Sequence, residues 1–205
     1  MAEEQRQTPA KPALTAESWA TGYWGPIDPE LHPAVHAVRE RFPEAFIDAV
    51  NFRDEMTIRV ERARLREVIQ FLRDHPDQRY NLLTDVTAVD MVRLRDEPRF
   101  DIVVQLYSIP NRVRLRVKAG VDDGETVPSL VPVHAAANWM EREVYDMFGI
   151  VFEDHPDLRR ILLADDWDEG HPLRKDYPLR GFREYVQPGY TTPAPRIRSR
   201  LRRPL

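Results

Sequence analysis

The sequence predicts an α+β domain, a mostly antiparallel sheet with helices packed on one face, followed by a long extended C-terminal arm. Three observations predict it. Helical and strand periodicities alternate in the order helix, two strands, helix, three strands, helix, which suits a layered α+β domain. Residues 112–118 (RVRLRVK) alternate apolar and cationic side chains without a break, as a strand half-buried against a core does. From Val151 onward neither period is visible, yet seven prolines and many large apolar residues are present.

Residues 1–30 hold Pro9, Pro12, Pro26 and Pro29 among small and polar residues and read as a mostly disordered leader. Within it Trp19, Tyr23 and Trp24 are expected to cover a nearby core edge rather than to dock a partner. The domain is expected over residues 31–150. Residues 33–41 (PAVHAVRER) form a helix with Pro33 at its first turn, where the missing N–H costs nothing. Ala45–Val50 and Met56–Val60 are apolar runs split by Asn51-Phe52-Arg53-Asp54, a hairpin signal. Arg62–Arg73 sets Leu65, Val68, Ile69 and Leu72 on one helical face, and His75-Pro76-Asp77 ends it. Three strands follow, over 81–91, 99–108 and 112–119, with turns at Pro110-Asn111 and Asp122-Asp123-Gly124. The last helix is expected to begin at Pro132 and to bury Ala136, Met140, Val144 and Met147. Arg142 and Asp146 would then form an exposed i,i+4 pair, and Gly149 would sit just past the helix end.

Residues 151–205 are expected to be neither helix nor strand. Structureless loops beyond about 12–15 residues are uncommon in compact domains, and disordered tails are usually poor in aromatics. This segment is long and carries Phe152, Trp167, Tyr177, Phe182, Tyr185 and Tyr190. The expectation is an arm that folds on a surface, favouring another chain's over its own domain's.

Composition excludes several chemistries. The chain has 205 residues, a net charge of −4 and no cysteine. Disulfides, zinc–thiolate sites and Cys-ligated iron–sulfur clusters are therefore ruled out for this chain. The first residues lack the apolar core of a signal peptide, and no apolar run reaches the roughly 18 residues of a membrane span. The six histidines (32, 36, 75, 134, 155, 171) make no HExxH, and four precede proline, which suits turns better than metal ligation. Glu141, Glu143 and Asp146 lack a paired nucleophile or base at a recognisable spacing. The run Asp165-Asp166-Trp167-Asp168-Glu169 lacks the alternation and closing glutamate of a calcium loop. The basic end, from Arg196 to Arg203, is a weak signal for nucleic acid on an acidic chain, so no nucleic-acid partner is expected. There is no phosphate loop or dinucleotide fingerprint.

Two motifs in residues 138–179 carry a resemblance. Glu141-Arg142-Glu143, Asp146-Met147-Phe148, then His155 after six residues and Arg159-Arg160-Ile161-Leu162 after three more form the first. Gly170-His171-Pro172-Leu173-Arg174-Lys175-Asp176-Tyr177-Pro178-Leu179 forms the second. Together they resemble the 30 kDa (C-type) subunit family of respiratory complex I, NADH:quinone oxidoreductase. The resemblance implies a separate, cofactor-free structural subunit of the hydrophilic arm, bound peripherally to the cytoplasmic side of the cell membrane through its partners. Those partners would be the large quinone-site subunit (49 kDa or D type) and other hydrophilic-arm subunits. The whole enzyme would pass electrons from NADH through FMN and Fe–S clusters in partner subunits to quinone, and pump protons. Catalytic, cofactor and metal residues are expected to be absent. The partner interface would include Glu141, Arg142, Glu143, Tyr145, Asp146, Phe148, His155, Arg159 and Arg160. It would continue through His171, Leu173, Arg174, Lys175, Asp176 and Tyr177, with Arg174 reaching a partner carboxylate. Two alternatives stand beside this: the equivalent subunit of an energy-converting hydrogenase or related dehydrogenase, and a stand-alone soluble α+β binding module whose tail wraps itself.

Overall fold

The computed structural model describes Pro29, residues 32–95 and residues 97–179. The leader aromatics, the arm beyond Leu179 and the basic end lie outside the described residues. The elements are α1 (Pro33–Arg41), β1 (Phe46–Phe52), β2 (Glu55–Val60), a 3-10 turn (Arg62–Arg64) and α2 (Leu65–Asp74). They continue with β3 (Leu82–Asp90), β4 (Phe100–Ser108), β5 (Val113–Val121), β6 (Thr126–Pro128), α3 (Ala137–Phe148) and β7 (Val151–Glu153).

Five strands form a sheet in the order β1-β2-β5-β4-β3. All neighbours are antiparallel except β2 and β5, which run parallel. This is the α+β architecture that the sequence predicts. Alternate strand residues point to one face, where Met56, Ile58 and Val60 meet Leu115, Val117, Ile102, Val104 and Val86. Three helices close that core with Val35 and Val38 of α1, Leu65, Val68, Ile69 and Leu72 of α2, and Val144, Met147 and Phe148 of α3. The interior strand β4 is buried on both faces at Asp101 and Val103, where Arg95 and Lys118 fold over the Asp101 carboxylate. An apolar run without alternation is what such a strand shows.

Local chemistry sets the boundaries. His32 caps α1 through Nδ1, which accepts from Ala34 N–H at 3.2 Å, and Pro33 follows it. Burial pushes the His32 imidazole down to about 4, so it caps as the neutral ring. Arg53 and Asp54 turn the β1–β2 hairpin with φ of 53° and 64°, the twist that two-residue hairpins need. Gly149 ends α3 at φ 77°, with its N–H on Tyr145 O.

Three expectations are corrected. The last helix begins at Ala137, five residues after Pro132, because residues 129–136 fold as turns around the Glu141 side chain. A helix running from Pro132 would carry Glu141 roughly 14 Å along its axis, whereas its carboxylate sits 2.6 Å from Leu130 N. Of the face expected to be buried, Val144 and Met147 are buried and Met140 packs partly against the core, but Ala136 is exposed, and Ala137, Glu141 and Phe148 are buried as well. Finally, Val151–Glu153 is a strand, parallel to β6, too short for periodicity to reveal.

Candidate functional site

Helix α3 carries the first half of the first motif, and three of its four charged residues face inward. Glu141, Arg142 and Asp146 are all buried. Glu141 is satisfied by residues 129–130, and Arg142 and Asp146 by residues 159–163.

Glu141 fills the crook between β6 and α3. Its Oε2 accepts from Ser129 Oγ at 2.7 Å and its Oε1 from Leu130 N–H at 2.6 Å. The His155 ring is also buried, with Nε2 3.9 Å from Glu141 Oε2 and 3.2 Å from Asn138 O. His155 Nδ1 accepts from Asp157 N–H, which puts the ring proton on Nε2. Burial pushes the Glu141 carboxyl up to about 7, against the two hydrogen bonds and the Arg66 charge, which pull it down.

That shift has a sign. Between the ordinary value of 4.5 and about 7 the folded chain holds a proton that the unfolded chain releases. Stability from this group is therefore present in acid and is lost as pH rises through about 7. Glu141→Gln keeps the acceptor for Leu130, and Ser129 can rotate its hydroxyl to accept from the amide. We expect the variant to gain on the wild type by on the order of 3 kcal/mol between pH 5 and pH 8. Urea melts across that range check it, and parallel curves would refute it.

Arg142 and Asp146 hold the segment after β7. Arg142 Nε donates to Arg159 O at 3.1 Å and Nη2 to Arg160 O at 3.2 Å, while its guanidinium lies 4.9 Å from the centre of the Trp139 ring. Asp146 accepts from the N–H groups of Ile161, Leu162 and Leu163 at 3.1, 2.8 and 2.9 Å, and from Arg160 Nη1 at 2.8 Å. Burial alone would raise the Asp146 carboxyl, but these donors outweigh it and hold it below the ordinary range. The expected exposed Arg142–Asp146 pair is thus replaced: both groups serve residues 159–163, a use that helical spacing cannot reveal.

The second motif is clipped to the end of the sheet. His171 Nδ1 lies 3.0 Å from Asp146 O, and Leu173 N–H donates to Met147 O. Arg174 donates from Nε to Phe148 O at 2.6 Å and from both terminal nitrogens to Asp123 at 2.9 Å. The bidentate carboxylate partner that the motif calls for is therefore supplied by this chain. Asp90 accepts from Lys175 N–H and Arg99, and Arg99 also reaches Asp123 and Asp176. Arg99 and Arg174 both lie against the Phe100 ring, at 4.9 and 5.2 Å. Tyr177 is half-buried, with its hydroxyl 3.5 Å from Glu169.

The remaining residues divide. Phe148 is core, packing edge-on against Phe100, and Tyr145 is half-buried. Glu143, Arg159, Leu173, Lys175 and Asp176 are exposed. Sequence reasoning missed Ser129, Asp90, Arg99 and Asp123. Asp90 and Arg99 could have been found, since opposite charges at facing ends of two antiparallel strands are placed to meet.

Among the described residues no group of three His, Cys, Asp or Glu side chains is placed to hold a metal, and no helix is long and apolar enough to cross a membrane. The family model for the 30 kDa subunit of respiratory-chain NADH dehydrogenase matches residues 58–183, which span both motifs. The chain is 54% identical to the C-type subunit of NADH-quinone oxidoreductase from Geobacter metallireducens over 153 residues, covering 74% of this chain and 92% of that one. It is 46% identical to the same subunit of a Roseiflexus species over 143 residues, covering 69% and 80%. Among solved structures it resembles a chain of the membrane-bound sulfane sulfur reductase, an archaeal respiratory membrane complex. The TM-score there is 0.58 at 25% identity, covering 71% of this chain and 84% of that one. With both motifs inside the matched region, and the buried Glu141, Arg142 and Asp146 among its residues, the chain belongs to the family of the 30 kDa subunit of respiratory-chain NADH dehydrogenase.

Proposed function

We propose that this chain is a cofactor-free structural subunit of a proton-translocating NADH:quinone oxidoreductase. It sits in the hydrophilic arm, peripheral to the membrane on its cytoplasmic side, and docks on the large quinone-site subunit. One observation supports a structural role above others: the motif charges are committed to holding residues 155–177 against the domain. An aspartate that already accepts three backbone N–H groups and an arginine is poorly placed to take a proton from a substrate. The sequence offers no cysteine for an iron–sulfur cluster. FMN and the clusters then reside in partner subunits.

A second reading makes the chain the equivalent subunit of a related respiratory membrane complex, which the likeness to the sulfane sulfur reductase chain favours. The higher identity to the NADH-quinone oxidoreductase relatives favours the first. Purification of the native complex through a tag on this chain tests both. The first reading expects NADH:quinone activity and a large quinone-site subunit in the eluate. It also expects no iron, zinc or flavin on the chain once it is separated. Stoichiometric metal or flavin on the separated chain would overturn the cofactor-free role, and an eluate lacking NADH oxidation would overturn the complex assignment.

A further inference from the structure

Once the motif charges are accounted for, two large apolar side chains beside them, Trp139 and Leu162, remain exposed among the described residues. Trp139, Arg142 and Asp146 are spaced i, i+3, i+7 and form a single stripe. Arg142 and Asp146 bind the backbone of residues 159–163, so that segment runs along the stripe. Trp139 lies on the helix roughly 10 Å before Asp146, and Leu162 belongs to the segment, its backbone N–H donating to the Asp146 carboxylate. Both side chains face solvent, Trp139 at 63% exposure and Leu162 at 61%. The stacked Arg142 guanidinium holds the Trp139 ring in place. An exposed tryptophan held in one orientation loses little entropy on binding, and tryptophan is enriched among interface hot spots.

The charge around these two residues has one sign. Glu143 lies one turn beyond Trp139 on α3 and is exposed. Residues 164–170 leave and return at Asp146, through Leu163 N and His171, so exposed Asp165 and Asp166 stand beside the same helix. The nearby cations are already matched. Arg142 is buried, Arg160 is paired with Asp146, and Arg159 is paired with Asp157 at 2.9 Å. The face is therefore apolar in the middle and acidic at the rim. Phosphate-bearing partners, whether anionic lipid or nucleic acid, attract basic surfaces and suit it badly.

We propose that the Trp139–Leu162 face docks a protein subunit that presents an apolar socket rimmed by lysine and arginine. This rests on the subunit role above and names the surface that performs it. The motif charges build the face, and the apolar residues beside them make the contact.

The test is rebinding of the purified full-length chain to a respiratory complex prepared without it. We expect Trp139→Ala and Leu162→Ala each to weaken rebinding at least about tenfold while the melting temperature stays near that of the wild type. The triple change Glu143→Lys, Asp165→Lys, Asp166→Lys should weaken it strongly at low salt and less at high salt, since rim charges are screened. Folded variants that rebind like the wild type would overturn the docking face while leaving the subunit role standing. A wild-type chain that does not rebind would overturn the subunit role and this inference with it. Binding of the wild type to anionic phospholipid vesicles, abolished by Trp139→Ala, would assign the face to a membrane and overturn the protein partner.

Discussion

Asp146→Ala is expected to cost about 3–5 kcal/mol of folding stability, the largest effect of any single change in either motif. The substitution leaves three backbone N–H groups without an acceptor and removes the counter-charge of Arg160. Arg160 is only 23% exposed, so water replaces the carboxylate poorly. In a chain of this size the loss corresponds to a fall of about 10 °C in Tm. Asp146→Asn keeps the shape but turns an amide group toward donors, so it should lie between the wild type and the alanine variant. Thermal and urea melts of the full-length chain measure both. An alanine variant within about 1 kcal/mol of the wild type would show that the 161–163 backbone is satisfied by water.

Gly149→Ala comes next, with an expected loss of about 3 kcal/mol. Two effects add. The residue has φ 77°, where a side chain costs roughly 1–2 kcal/mol. The new Cβ would also run into the His171 imidazole, and overpacking of this kind costs about 1–3 kcal/mol. His171 cannot retreat without giving up its contact with Asp146 O and loosening the turn that brings Arg174 to Phe148 O. Gly124→Ala is the control. It shares a positive φ of 86°, but a Cβ there meets nothing, so only the smaller backbone cost should appear. Equal losses at the two glycines would mean that His171 moves freely.

What the sequence disclosed and what it hid follow from range. Helix α2 and strand β5 carry their own periodicity and the other strands read as apolar runs between turn signals, so Leu65, Val68, Ile69 and Leu72 were legible as a buried face. Gly149 was legible as a helix stop because the αL cap is a local requirement. The start of α3 was not, because it depends on Glu141 reaching back to Ser129 and Leu130, twelve and eleven residues away. The same holds for the site. The motif spacing marked the right residues, but polar character suggested an outward face for groups that turn inward. Asp146 is legible only as a charge in the sequence, while its role comes from three amides fifteen to seventeen residues downstream. Arg174 is paired with Asp123 across fifty-one residues, a separation at which no local signal operates.

If the motif charges secure residues 155–177 by themselves, that segment is ordered before any partner arrives. Hydrogen exchange of the isolated full-length chain tests it most directly, read at the amides of Ile161, Leu162 and Leu163. These three are expected to be protected in the absence of partners, and Asp146→Ala is expected to remove the protection. If they exchange at the unprotected rate in the isolated chain and slow only in the assembled complex, the segment is ordered by its partner and the account is wrong.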